Sequence, residues 1–456
     1  MRRGASKSRY SLAFLCLFLA VANIVLWFPG IMTHDSFRQY SEAVSGAFTA
    51  WHPPVMAWLW SYLLPFSGGG SGLLVIHILL YWLSFYLIAA TLLEMGRRHA
   101  AIATLCVALA PPFIVLMAFI WKDVGMMVTI FAAFAIIFRQ RMLSRIGAGS
   151  IAAIILLLAY AILVRSNAIF GVAPVILYVW RPALIHRPLW LLPVCAVLTF
   201  IAIPVSGAIN RFGFHAEGAA FKSLILYDLV GTAHFSRDVS YFPVPVSLDL
   251  IDHCYSPKWW DPIASGVCRD PLSFSMKNPR PLLYSVLMHP ISYAEHRIAH
   301  FNEAMFAFVG SEGYRYEDTD FTRRYRSMPQ APLMLEGTRL HMQLQSFPLF
   351  SPALFLLIAL QILGLTLAQR RRTGLLGESA FYLALSSALY SLSFLLVGVA
   401  NMSRYQFYPV AAAAIALILF LTERSARGDR LSRAEWSCVV VTAMFAIAIG
   451  LSRLVL

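Results

Sequence analysis

Charge is scarce in this chain. Only 13% of its 456 residues are Asp, Glu, Lys or Arg, about half the ~25% of an ordinary soluble domain. That scarcity excludes a soluble enzyme of the usual kind and a disordered chain, which needs charge to stay solvated. Six cysteines in 456 residues are too few for a disulfide-built scaffold. No internal repeat and no low-complexity run is present. The long apolar runs also lack Asp, Glu, Lys and Arg away from their ends. Ion-coupled transporters usually carry such groups near the bilayer midplane, so a transporter or flippase is disfavoured.

What remains is apolar. Hydrophobic residues make up 59% of the chain, with a mean hydropathy of +0.69. This composition indicates an all-α integral membrane protein. Apolar stretches near 11–28, 71–93, 100–118, 124–138, 147–164, 168–180, 189–206, 347–368, 378–399, 407–421 and 435–455 predict eleven transmembrane helices. Several fall short of the ~20 residues of a full span. The runs are continuous rather than alternating, and a helix satisfies its own backbone in lipid, so strands are not expected. Met1–Arg9 with the apolar run behind it has the look of a signal peptide. No small-residue cleavage site follows, so an uncleaved first span is expected.

The formal charge of +14 invites a nucleic-acid reading, but its placement points elsewhere. If the spans alternate, 18 basic residues fall on one side: Arg2, Arg3, Lys7 and Arg9, then Arg97 and Arg98, Arg139, Arg141 and Arg145, Arg181 and Arg187, Arg370 to Arg372, and Arg424, Arg427, Arg430 and Arg433. The short loops and tail opposite hold five: Arg38, Lys122, Arg165, Arg404 and Arg453. The positive-inside rule then puts the N-terminus in the cytoplasm. The basic clusters set orientation and meet anionic lipid; no nucleic-acid partner is expected.

Three regions follow: an N-terminal bundle over 1–208 with an outer loop at 29–70, an extracytoplasmic loop domain of short helices and loops over 209–346, and C-terminal helices over 347–456. Cys254 and Cys268 both lie in the large outer loop, where a disulfide is plausible in an oxidising compartment. The other four cysteines read as packing residues within spans.

Polar residues gather at outer span ends. Asp35 stands in Thr33-His34-Asp35-Ser36, just after the first span, and Trp51-His52-Pro53-Pro54 closes the same loop. Lys122-Asp123, Arg165-Ser166-Asn167 and Asn401-Met402-Ser403-Arg404-Tyr405 lie in three tight outer turns. Each has an ordinary alternative. Thr33 or Asp35 suits a helix N-cap, His52 can shape a turn before its prolines, Asn167 can cap a helix, and Arg165 or Arg404 can anchor at the interface. As a set they suit transfer from a lipid phosphate. Arg and Lys hold the phosphate, fixed positive charge aids its departure, and a carboxylate takes a proton from the acceptor. His289 and Arg297 are further candidates facing the site from the large loop. His296 and His300 stand one helical turn apart, but no third ligand completes a zinc pattern.

At these residues the chain resembles a polytopic glycosyltransferase of the GT-C superfamily, near the protein O-mannosyltransferase-like branch. The resemblance rests on Asp35 in an amphipathic loop after the first span, on His52-Pro53-Pro54, on Arg404-Tyr405 with Pro409 beginning a late span, and on the Lys122-Asp123 turn. It implies a polyprenyl-phosphate sugar donor and a glycan, lipid or protein acceptor. Transfer would be inverting, on the extracytoplasmic (periplasmic) face of an inner membrane. It makes Asp35 the general base and Lys122, Arg165 and Arg404 the phosphate holders, with His34, His52, Asn167, His289, Arg297 and Tyr405 as further substrate contacts. Many members carry paired acids after the first span, whereas His34 and Ser36 flank Asp35 here, so Asp123 also stands as a candidate base. One carboxylate offers few ligands for a divalent metal; no cofactor is expected, with metal dependence left open. The alternatives are an O-antigen polymerase or ligase, which relies on Arg and His, and a lipid or glycan transporter.

Overall fold

A computed structural model describes residues 2–49, 51–67, 69–144, 147–216, 220–272, 280–310, 347–428 and 432–455, with isolated positions between 336 and 343. Among the described residues the regular structure is helical, and the only β pairings are two isolated bridges. In chain order the principal helices are α1 (Arg2–Trp27), α2 (His34–Ser45), α3 (Val55–Leu63), α4 (Ser71–Glu94), α5 (Arg98–Ala108), α6 (Pro111–Leu116) and α7 (Lys122–Met142). Then come α8 (Ala148–Val164), α9 (Ala168–Trp180), α10 (Leu191–Ala208), α11 (Ala220–Ser236), α12 (Leu248–Cys254), α13 (Gly266–Leu272), α14 (Arg280–Met288) and α15 (Pro290–Ala304). The last four are α16 (Pro352–Ala368), α17 (Leu375–Val397), α18 (Phe407–Arg427) and α19 (Arg433–Val455).

Every one of the eleven apolar stretches is helical, but they differ in kind. Seven are long and apolar enough to cross a membrane: α1, α4, α7, α10, α17, α18 and α19. The shorter α5, α8, α9 and α16 are apolar too. The stretch at 100–118 is not one helix. Pro111 and Pro112 cannot donate to the preceding turn, so the chain stops at Ala108 and restarts as α6.

The helices sort into an inner and an outer set. α7, α17 and α18 are largely buried, whereas α1, α10 and α19 leave most of their apolar side chains uncovered. Phe14 and Phe18 on α1, Phe200 on α10, and Met444 and Ile447 on α19 are all exposed. Such surfaces would aggregate in water; in a bilayer they are the lipid-facing wall, where apolar side chains carry no solvation cost.

A smaller cluster of buried residues lies beside the bundle, formed by α11, α12 and α13 around Tyr227, Leu229, Ile251, Ile263 and Leu272. Cys254 at the end of α12 is disulfide-bonded to Cys268 on α13. α11 packs so tightly on α15 that a Cβ at Gly231 would lie 2.1 Å from His296 Nδ1. Only glycine fits there.

One short pairing aligns the two loops that matter most. After α1, Ile31 N–H donates to Ala118 O at 2.7 Å, and Ile120 N–H donates to Ile31 O at 2.9 Å. This parallel bridge ties the start of the first loop to the entry of α7. Gly30 makes the approach possible: its φ is +99°, and an added Cβ would meet Ile120 Cδ1 at 2.7 Å. Two side chains lock the same register. Ser36 Oγ donates to Ile120 O at 2.7 Å, and Trp121 Nε1 donates to Thr33 Oγ1 at 2.8 Å.

Candidate active site

Five segments distant in sequence converge on one ionic cluster. Asp35 occupies the first turn of α2. Thr33 is the N-cap, with its N–H donating to Ser36 Oγ at 3.2 Å. The Asp35 carboxylate is therefore not consumed by capping. It pairs with Arg404 Nη2, and its Oδ1 lies 3.8 Å from His52 Nε2. His52 enters just ahead of α3, brought there by the turn through Pro53 and Pro54.

Lys122 and Asp123 open α7. Lys122 Nζ is 3.1 Å from His52 Nδ1. An ammonium can only donate, so His52 Nδ1 accepts and its remaining proton sits on Nε2, facing Asp35. Burial, with Lys122 adding to it, pushes the His52 pKa down to about 3. His52 is thus a neutral bridge between Lys122 and Asp35. Asp35 itself is pulled two ways. Burial pushes its pKa up, but Arg404, Lys122 and His52 outweigh that and hold it well below the usual carboxylate range.

Asp123 has a different environment. Its side chain is 1% exposed, it pairs with Arg165 Nη1, and its Oδ2 lies 3.6 Å from Arg404 Nε. Arg165 sits in extended backbone at the end of α8, and its Nε donates to Asn167 Oδ1 at 2.8 Å. Asn167 holds the N-cap position of α9, but its side-chain carbonyl accepts from Arg165 rather than capping the helix. Tyr405 completes the arrangement from a 3-10 turn (Ser403–Gln406): the Arg165 guanidinium lies 3.9 Å from its ring centroid and that of Arg404 5.4 Å. Arg404 also lies 5.0 Å from the Trp121 ring. Stacking of this sort keeps guanidinium groups in place while leaving N–H donors available.

The ledger of charge is uneven. Lys122, Arg165 and Arg404 face two carboxylates, Asp35 and Asp123, with His52 neutral. Arg38 and Asp261 also lie within electrostatic reach of the cluster; the wider set of four cations and three acids still carries one positive charge in excess, where an anion would complete it. Exposure divides the two acids. The Asp35 side chain is 27% exposed, against 1% for Asp123.

Three candidates stand apart from the cluster. His34 shares the first turn of α2 with Asp35, but one residue's rotation (about 100°) turns it outward, and it is exposed. His289 Nε2 pairs with Asp238 Oδ2 at 3.0 Å instead. Arg297 is 3% exposed and belongs to a second buried network on α15. It pairs with Asp228 on α11, and its Nη1 donates to Gly398 O at 2.7 Å. His296 Nε2 lies 3.2 Å from Asp228 Oδ1, and His300 Nδ1 lies 2.8 Å from Pro257 O. Both histidines are thereby engaged. Among the described residues no group of three His, Cys, Asp or Glu side chains could hold a metal.

That second network has a place in the site nonetheless. Gly398 begins the strap that leads to Arg404. Val399 O accepts from Trp260 N–H at 3.0 Å, and Asn401 N–H donates to Lys258 O at 2.9 Å. Asn401 Nδ2 donates to Glu303 Oε2 at 3.4 Å. α15 and the 257–260 segment thus hold the strap from two sides. Thr33 is the N-cap that its sequence position suggests, whereas Asp228 was missed. Asp228 carries no local motif, and nothing short of the fold pairs it with Arg297.

A small apolar pocket is lined by Phe113, Phe306, Phe350, Pro352, Phe407 and Val410, with Ser403 and Gln406 as its polar residues. Arg404 lies between those two polar residues in sequence. Searches against protein-family models, curated proteins and solved structures returned no match to this chain.

Proposed function

We propose that the chain is a membrane glycosyltransferase that moves a sugar from a polyprenyl-phosphate donor to an acceptor hydroxyl. The observation that carries this reading is the gathering of Lys122, Arg165 and Arg404 in one cluster with a partly exposed carboxylate, Asp35. The donor phosphate takes the surplus positive charge, held by Arg404, Arg165 and Lys122. The prenyl tail leaves toward lipid past the apolar side chains Phe113, Phe407 and Val410, which line a small pocket with Ser403 and Gln406. Asp35 accepts the acceptor's proton as the hydroxyl oxygen forms its bond to the anomeric carbon. The bond from that carbon to the phosphate oxygen breaks, and polyprenyl phosphate leaves with the electron pair, stabilised by the fixed cations. Attack opposite the leaving group inverts the anomeric centre. Asp123, sealed between two arginines, orients Arg165 and Arg404 rather than reacting.

The same reading includes eleven crossings, with the shorter α5, α8, α9 and α16 completing the count, and a cytoplasmic N-terminus set by the basic loops. The reaction then takes place on the outer face of an inner membrane. The Cys254–Cys268 disulfide supports an oxidising location for that face.

The test is transfer in purified membranes. Polyprenyl-phosphate sugars are offered singly to wild type and to Asp35→Asn, with mass spectrometry of the glycolipid fraction. Product from wild type alone supports donor class and base together. Product from both removes Asp35 from the role of base. Net movement of the lipid without a new glycosidic bond would replace the reading with transport.

A further inference from the structure

Two indoles belong to the segments that carry the ionic cluster, and the proposed reaction does not use them. Trp51 precedes His52 and is 40% exposed. Trp260 is half-buried and comes from the segment between α12 and α13. Their ring centroids lie 5.5 Å apart, with planes inclined at 47°. Neither arrives by accident of a long loop. Trp51 is one residue from the histidine that bridges Lys122 and Asp35. Trp260 is fastened by its N–H to Val399 O at 3.0 Å, and Trp259 pairs with Ala400, both on the strap that carries Arg404.

The spacing decides what the pair can do. A ring held between two aromatic faces needs about 7–8 Å, twice the ordinary carbon contact distance. At 5.5 Å nothing enters between the indoles, so the pair offers its outer faces as one tilted apolar wall. Asp261 follows directly, at the start of a short 3-10 turn (Asp261–Ala264). Burial and Asp35 raise its pKa and Arg404 lowers it, which puts its carboxyl within electrostatic reach of both. Its carboxylate accepts from its own backbone N–H, and among the described residues no other residue pairs with it.

An apolar wall with a carboxylate beside it that pairs with no other residue, within electrostatic reach of the proposed base, matches one chemical class well. A pyranose has a face of C–H bonds, which packs on indole, and a rim of hydroxyls, which donate to a carboxylate. An acyl chain would leave the carboxylate without a partner. We infer that Trp51, Trp260 and Asp261 form the acceptor subsite, and that the acceptor presented there is a carbohydrate. This rests on the transferase reading above.

The experiment uses the full chain in detergent and reads binding rather than turnover. Methyl glycosides of glucose, galactose and mannose are the probes, followed by saturation-transfer NMR. Undecaprenyl phosphate binding is measured in parallel on the same preparations. At least one glycoside is expected to bind wild type. Its affinity should fall at least tenfold in Trp51→Ala and in Trp260→Ala, be partly kept in Trp260→Phe, and weaken several-fold in Asp261→Asn. Undecaprenyl phosphate should bind all variants alike, which also shows them folded. No glycoside binding by wild type, or affinity retained in both alanine variants, overturns the subsite. Wild type that binds a glycoside through these tryptophans but ignores undecaprenyl phosphate keeps the carbohydrate site and sinks the donor assignment instead.

Discussion

Arg404 pairs with Asp35 across 369 positions of sequence, and its Nε also lies 3.6 Å from Asp123. One guanidinium therefore pairs with both the partly exposed acid and the sealed one. Its second partner, Asp123, and the rings of Trp121 and Tyr405 fix it from behind. On the proposed reading, the face toward Asp35 is the one that the donor phosphate would claim.

Asp35→Asn should lower transfer by a factor of about 10²–10⁴, the usual share of a positioned general base. Thermal unfolding in detergent should change little, because the residue is partly exposed and its amide still fits. A variant with undiminished turnover would remove Asp35 from the mechanism.

Asp123→Asn should act on the fold instead. It leaves Arg165 and Arg404 short of a buried counter-charge, and breaking such a pair costs about 3–5 kcal/mol. The measurement is the unfolding midpoint of Asp123→Asn beside that of Asp35→Asn. Equal midpoints would mean that Asp123 is not the structural acid.

Stability should fall on acidification, with His52 contributing. Its pKa is about 3 in the folded chain against 6.5 for an ordinary histidine. Between those values the unfolded chain binds the proton and the folded chain does not. Stability therefore rises with pH across that window and is lost as pH falls from about 6.5 toward 3. His300, also buried to a pKa of about 3, adds in the same direction. His52→Gln should flatten the slope of unfolding free energy against pH between 4 and 6; an unchanged slope would show that His52 does not contribute.

Arg297→Ala should destabilise the chain by about 3–5 kcal/mol by stranding Asp228. Arg297→Lys should recover part of that loss but not the geometry of a fork shared between Asp228 and Gly398 O. If Arg297→Ala melts like wild type but loses donor affinity, the residue touches substrate rather than the strap.

Reducing the Cys254–Cys268 bond should cost about 2–4 kcal/mol, the range for a loop this short. The loss should be confined to the α11–α13 region. Limited proteolysis with and without dithiothreitol checks this, with new cuts expected near 255–267.

Apolar periodicity and length made the helices legible, because a run such as 71–93 leaves few other options in lipid. The break in 100–118 was legible too, in Pro111-Pro112, but hydropathy averages over it. The cluster was legible as five short polar turns because each brings an acid, a base or an amide to a span end. His34 shows where that reasoning stops: adjacency in sequence put it beside Asp35, while helical rotation turns it away. Arg297 shows the opposite limit. Its partner Asp228 lies 69 positions earlier in sequence on a different helix, and no spacing encodes such a pairing.

The distance between Asp35 and Arg404 is also an interval of time. At roughly 5–20 residues per second, a chain under synthesis needs on the order of 20–70 s to travel from one to the other. Asp123 is matched much sooner, since Arg165 follows 42 positions later. The acid that is sealed in the finished molecule is the one whose partner emerges early. The acid that waits longest for its guanidinium is the one that stays partly exposed in the finished molecule.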